Sequence, residues 1–421
     1  MKLEKWTLGL AAAGLVSLSP TLVAQTTNTA PQVIPMQTAL TATTISGYVD
    51  TSAVWNPGTG NANPAPYAFN HGKQDGFNLD AVDVRIARAE DESPWAAGYV
   101  AELSYGPDAQ AIDGGAYPIR QAYVELRMPI GNGLDWQLGR WDNLLGYESS
   151  DSMKDPNYTR SYQWTSEPTE HTGLLATYKF CDAFSLRAGV VDTVTTTGFS
   201  VNDRTTTVGA TPIESKKGFV SLATLTAPDS WGSFKGSTLA AGFDDGAGAA
   251  THNKEEIYVG ATINTPVTGL TFGASWDAIF HDDIASYVTG VDTDQGYFQS
   301  FDGYASFKLT EKLTLNGRIE YADGPALGAM ANADNGIAYS SVYPEGIAYY
   351  PSQLDKVFAV TGTLQYDLWA NVISRLEVRW DHAANGADAF GGVGSPGSTA
   401  GAGIPNKKNE VMVAANVIYK F

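Results

Sequence analysis

The sequence predicts an all-β fold, a transmembrane up-and-down antiparallel β-barrel of about 16 strands with short periplasmic turns and long external loops. Three observations carry that expectation. From residue 44 onward apolar and polar residues alternate with a period of two. The connections between the alternating runs are long and short by turns. No stretch reaches the roughly 18 consecutive apolar residues that a membrane-spanning helix requires. With 421 residues, 43% of them hydrophobic and only 17% charged, the chain must bury surface and is not a disordered polymer.

The elements follow in order from the N-terminus. Lys2 and Lys5 precede an apolar stretch from Leu8 to Leu18, and Pro20 then leads to the small-residue site Leu22-Val23-Ala24. Residues 1–24 are therefore expected to be a secretory signal peptide cut after Ala24. Residues 25–43 read as a short polar periplasmic lead and 44–421 as the transmembrane β-barrel, with no Pro/Ser-rich linker to divide it. An exported chain that spans with strands is expected in the bacterial outer membrane, with its lipid as a partner.

Strands are expected at 44–55, 77–88, 95–105, 119–128, 133–140, 171–180, 183–193, 218–227, 236–244, 255–264, 269–280, 297–309, 312–322, 354–366, 371–382 and 410–421. Each is close to the 9–11 residues that cross a bilayer at a tilt. In the run from Val372 to Asp381, Val372, Ser374, Leu376, Val378 and Trp380 share one face, while Arg375, Glu377, Arg379 and Asp381 share the other with Ile373. Leu313, Leu315, Ile319 and Tyr321 likewise oppose Thr314, Asn316, Arg318 and Glu320. Ala122, Val124, Leu126 and Met128 oppose Gln121, Tyr123, Glu125 and Arg127, and Phe184, Leu186, Ala188 and Val190 oppose Ser185 and Arg187.

The long connections are 56–76, 106–118, 141–170, 194–217, 245–254, 281–296, 323–353 and 383–409. Between them come short ones such as Pro129 to Gly133, Cys181-Asp182, Thr310-Glu311 and Asp367 to Ala370. A sandwich with Greek-key crossings has no reason to alternate in this way. Trp95, Tyr105, Tyr178, Phe180, Trp276, Trp369, Trp380 and Tyr419 lie toward strand ends, where amphipathic rings favour a membrane interface. The last run, Val411 to Phe421, is expected to pair with the first strand, because a closed barrel leaves no free edge.

In a soluble sandwich a charged face meets water. In a transmembrane barrel the apolar face meets lipid and the charged face lines the lumen. On the barrel reading Arg85, Arg127, Arg187, Arg318, Arg375 and Arg379 line the pore, with Asp83, Glu125, Asp135, Asp277, Glu320, Glu377 and Asp381. Facing a basic residue to lipid at mid-membrane would cost roughly 2–4 kcal/mol, so the alternation is physically enforced. Inside, such charges keep the lumen wet and set the barrier to a permeating ion.

Other chemistry is sparse. The net charge of −19 would repel phosphate backbones, which argues against a nucleic-acid partner. Cys181 is the single cysteine, so no internal disulfide can form, and it reads as a structural residue in a short turn. His71, His171, His252, His281 and His382 have no metal-ligand spacing, and there is no GxSxG, HExxH or phosphate-cradling loop. Asp292 to Gly296 and Asn332 to Gly336 lack the register and terminal Glu of a calcium loop and read as solvated turns. The glycine-rich stretch Gly391 to Gly397 reads as part of an external loop. No cofactor, metal or catalytic group is expected.

One segment carries a family resemblance. Gly139 to Phe180 contains a Gly-Arg strand end, the Gly146-Tyr147-Glu148 step in the following loop, the Asn157 to Ser161 segment, and a His171-Thr172-Gly173 that begins the next strand. With the opening strand ISGYVDTSAVWN it resembles the OmpL-like β-barrel porins, from residue 44 to the C-terminus. The terminal aromatic Phe421 also resembles the C-terminal signature of bacterial outer-membrane barrels. The resemblance implies an outer-membrane porin, passing small hydrophilic solutes or ions by passive diffusion, not an enzyme, with a homotrimer as the implied assembly. By similarity to sixteen-stranded porins, the third loop is expected to fold into the lumen as a constriction. Its carboxylates Glu148, Asp151 and Asp155 are the candidates, the first two facing Arg85 and Arg127. Two alternatives stay open at this point: an exported β-sheet protein that binds carbohydrate, and an outer-membrane barrel hydrolase.

Overall fold

Within a bilayer no water is available to satisfy a bare N–H or C=O, so a strand can cross only if it is hydrogen-bonded on both sides. The computed structural model meets that requirement with a closed barrel. It describes residues 42–58, 63–70, 73, 75–113, 118–194, 207–208, 211–212, 217–247, 253–281, 296–324, 354–392 and 405–421. The expected signal peptide and nearly all of the lead lie outside the described residues, as do His71, His252, Asp292 to Gln295, Asn332 to Gly336 and Val393 to Gly397.

Sixteen strands make the wall: β1 Thr44–Trp55, β2 Gly76–Arg88, β3 Ala97–Tyr105, β4 Ile119–Met128, β5 Leu134–Asp142, β6 Glu170–Cys181, β7 Phe184–Val191 and β8 Gly218–Thr226. The circuit continues through β9 Thr238–Ala247, β10 Asn253–Asn264, β11 Leu270–His281, β12 Gly296–Lys308, β13 Leu313–Asp323, β14 Lys356–Trp369, β15 Val372–Ala383 and β16 Asn409–Lys420. Each pairs antiparallel with its sequence neighbours, and β1 closes on β16. At that seam Tyr48 lies opposite Lys420 and Trp55 opposite Val413, and Gly47 and Phe421 exchange two backbone hydrogen bonds of 3.0 Å. A Cβ at Gly47 would overlap the Asp83 carbonyl and come within 2.8 Å of the Phe421 ring, so only glycine lets that ring lie over the seam.

The faces are assigned as the alternation predicts. Leu376 and Val378 are 53% and 49% exposed on the outside, whereas Glu377 and Arg379 between them are fully buried inside. Two bulges break the pattern. Between β3 and β4 the register slips at Glu102, leaving Arg120 as an extra residue, so Arg120 and Gln121 both point inward. Between β1 and β2 it slips at Asp50, and Asp80 and Ala81 both turn in.

At one end of the barrel the connections are short. Ala370-Asn371 joins β14 to β15 with Asn371 at φ 64°, a left-handed conformation that asparagine tolerates. The strand expected from residue 95 begins at Ala97, because Asp91 accepts the Ser93 N–H at 2.8 Å and Trp95 takes φ 62°, which extends the turn. A 3₁₀ helix, Asp229–Phe234, fills another turn. At the opposite end the long connections hold short elements that alternation cannot signal: α1 Pro107–Asp113, the buried α2 Tyr162–Ser166, and a small hairpin, Thr207–Val208 with Thr211–Pro212. The first and last loops meet there, where Asn63 and Gly391 exchange backbone hydrogen bonds of 3.0 and 3.1 Å. Among the described residues no helix is long and apolar enough to cross a membrane.

The face assignment is tested by Leu376→Arg. Equilibrium unfolding from lipid vesicles should show a loss of about 2–4 kcal/mol if residue 376 meets the bilayer midplane. A change within error would place it against protein or water.

Candidate functional site

The connection between β5 and β6 folds into the lumen, where it bonds to inward side chains of the wall. Residues from Asp151 to Glu170 of this third long loop are almost all buried, as are the wall residues they touch. Ser161 caps α2 by accepting the Trp164 N–H at 3.0 Å, which turns the chain back toward the loop end after it has crossed the barrel.

What holds the loop is the wall of β13, β14 and β15. Arg318 reaches Glu148 at 2.6 Å and Glu320 at 2.7 Å, and donates to the Thr159 carbonyl at 2.7 Å. Glu377 accepts the N–H groups of Tyr158 and Thr159 at 2.6 and 3.0 Å and both the Thr159 and Thr363 hydroxyls. Arg379 binds Asp381 at 3.0 Å and the Arg160 carbonyl at 2.7 Å, with its guanidinium 3.8 Å from the Tyr67 ring centroid. Arg375 donates to the carbonyls of Ser152 and Asp155 at 3.0 and 2.6 Å. Glu320 accepts the Tyr162 N–H at 2.8 Å, and Asp381 the Tyr162 hydroxyl at 2.9 Å. Within the loop, Arg160 and Asp155 pair at 3.0 Å; burial lifts the Asp155 carboxyl to about 7, with the Arg160 charge opposing it.

This overturns the expected partners of the constriction loop. Glu148 does not face Arg85, nor Asp151 Arg127. The loop spans the lumen instead of lying along the near wall, so Glu148 pairs with Arg318 and Asp151 with Lys154 at 3.2 Å. Arg85 is taken by Glu102 and Arg127 by Asp135, each at 2.7 Å. The near wall has its own centre in Arg120, which binds Glu102 at 2.8 Å and Asp142 at 2.7 Å and lies 3.9 Å from Asp83. Strict alternation puts Arg120 on the lipid face; the bulge that turns it inward leaves no trace in periodicity.

Three regions result. Arg318, Arg375, Arg379, Glu320 and Glu377 lie under the loop and anchor it. Toward the short-turn end, Arg85, Arg127, Arg187, Glu125 and Asp135 remain partly exposed, lining an open vestibule where Arg187 donates to Gln137 at 3.1 Å and Gln137 to Glu125 at 3.1 Å. Between the loop and β9–β11 lies a third group, Lys254 with the inward acids Asp244, Glu256 and Asp277, of which sequence analysis singled out only Asp277. Cys181 is a free, exposed thiol at the end of β6. His171 is buried between the Thr193 carbonyl and the Asn143 side chain, where its own nitrogens are 3.3 and 3.0 Å from those oxygens.

A family model described as "Putative beta-barrel porin-2, OmpL-like" matches residues 42–421. No curated protein matches the sequence. Among solved structures, the anion-selective porin from Comamonas acidovorans superposes with a TM-score of 0.54 at 12% identity, covering 90% of this chain and 99% of its own. The high-pH structure of Pseudomonas putida OprB gives 0.56 at 10% identity, covering 92% and 96%. The trimer form of OmpT, an outer-membrane protein of Vibrio cholerae, gives 0.52 at 10%, covering 90% and 99%. At these identities the likeness is one of fold.

The anchoring network is tested by Arg318→Met. It would leave Glu148 and Glu320 buried without their cation, a loss of about 3–5 kcal/mol. Chymotrypsin should then cut between Tyr147 and Trp164 in the folded barrel, where the parent protein resists. Equal resistance would show that the loop is held by other contacts.

Proposed function

This chain belongs to the OmpL-like β-barrel porin family, and from that membership we propose that it carries small hydrophilic solutes or ions across the bacterial outer membrane by passive diffusion. The observation that carries this reading is the inverted barrel: apolar side chains such as Leu376 and Val378 face out, ionised ones face in, and a loop narrows the lumen. A soluble carbohydrate-binding protein has no use for a continuous apolar exterior, and the same inversion speaks against that alternative. The charges of the vestibule, Arg85, Arg127, Arg187, Glu125 and Asp135, would meet the solute. Those under the loop would set its aperture by holding Glu148, Asp151 and Asp155 in place. No step here involves catalysis, and a hydrolase would be revealed by turnover of chromogenic esters.

The fold it shares with the trimer form of Vibrio cholerae OmpT supports a homotrimer, which cross-linking in the membrane would test. Purified protein in a planar bilayer should give discrete, ohmic conductance steps. Their blockade by a graded series of neutral polymers should fix the aperture. A folded, heat-modifiable protein that never conducts would overturn the diffusion reading.

A further inference from the structure

The third loop lies along one row of the wall. Thr262 of β10 stands opposite Gly273 of β11, Gly273 opposite Tyr304 of β12, and Tyr304 opposite Arg318 of β13. The row continues through Thr361 of β14 to Arg379 of β15, and residues paired in this way share the inward face. At one end Arg318 and Arg379 receive the Glu148 carboxylate and the carbonyls of Thr159 and Arg160. At the other end the row has a gap, Gly273, and the Tyr147 ring fills it. The Tyr147 hydroxyl accepts from Thr262 at 3.2 Å, and its ring stacks on Tyr304 with centroids 4.2 Å apart and planes 17° from parallel. A Cβ at residue 273 would overlap both the hydroxyl and the ring, so the close approach requires glycine within the strand.

Tyr147 also differs from its neighbours in what it faces. Residues 146–150 stay partly exposed, whereas the loop beyond them is almost all buried. Within that stretch Gly146, Ser149 and Ser150 carry little side chain, and Glu148 turns its side chain onto Arg318 with 1% exposure. Tyr147 is the one large side chain that the stretch presents to the lumen. We propose that Tyr147 limits the width of solute that the passage admits, and that Gly273 is its positioning residue, drawing the ring back into the wall. The inference rests on the diffusion reading and adds to it a pair of uncharged residues that sort solutes by size. A side chain at 273 would lift the ring off its seat, and with the wall behind it and Thr262 and Tyr304 on either side, the way open to the ring is toward the lumen axis.

Two measurements on the full-length protein test it. The temperature at which heat-modifiable migration is lost on a gel reports stability, and Gly273→Ala should lower it in the parent but not beside Tyr147→Ala. Equal shifts in both backgrounds would overturn the seat. In planar bilayers Gly273→Ala should lower single-channel conductance about two-fold and exclude neutral polymers that enter the parent. Tyr147→Ala and the double variant should both conduct more than the parent and admit larger polymers; Tyr147→Ala alone decides the size role if Gly273→Ala does not fold. A parent-like conductance and polymer cut-off in either single variant would overturn the size role while leaving the diffusion reading intact. A parent that never conducts, with the stability coupling retained, would overturn the diffusion reading and the size role with it, and leave the seat in place.

Discussion

Everything in this molecule depends on one constraint, that backbone polar groups inside a bilayer must be hydrogen-bonded within the protein. Sheet closure satisfies it, and closure has consequences at every level. It requires β1 to find β16, which places Gly47 against Phe421 and leaves no room there for a side chain at 47. It also inverts the usual arrangement of a globular protein. The apolar residues, exposed Leu376, Val378 and their counterparts on other strands, cover the outside, so charged residues have only the interior to occupy.

An interior lined with charges is stable only if wet or paired, and the barrel uses both solutions at different heights. In the vestibule Arg127 and Asp135 pair while staying partly exposed. Under the third loop solvent is excluded, and there the guanidiniums of Arg318, Arg375 and Arg379 are matched to loop carbonyls and to wall carboxylates. Arginine suits this work because its planar fork can serve a carboxylate and a carbonyl at once. The loop is thus held by its backbone as much as by its side chains, and its course depends on the wall it docks against.

That distinction explains how much could be read from sequence. The strands were legible because period-two alternation is enforced by lipid on one side; the bounds of β1 are those expected, and β15 lies one residue later than expected. The inward direction of Arg318, Glu377 and Asp277 was legible for the same reason. Their partners were not. Arg318 meets Glu148 across 170 positions of chain, and nothing local in the Glu148 neighbourhood distinguishes that wall from the nearer one bearing Arg85. Arg120 and Asp80 were hidden by bulges, which shift the phase of alternation by one residue and so carry a charge from the predicted outside to the actual inside. The helices α1 and α2 are too short for a periodic signal to accumulate.

Anchoring and selectivity compete for the same side chains. Glu377 has its oxygens taken by two backbone N–H groups and two hydroxyls, so it has little left to offer a passing ion. Its charge is spent on fixing the loop. Asp244 and Asp277, by contrast, are buried with no hydrogen-bond partner among the described residues. Docking the loop on the arginine-rich wall fixes Glu148 against Arg318 and leaves Glu167 beside Gln163. The side chains that fix the loop are thus distinct from those that stay partly exposed toward the short-turn end, such as Arg127 and Asp135.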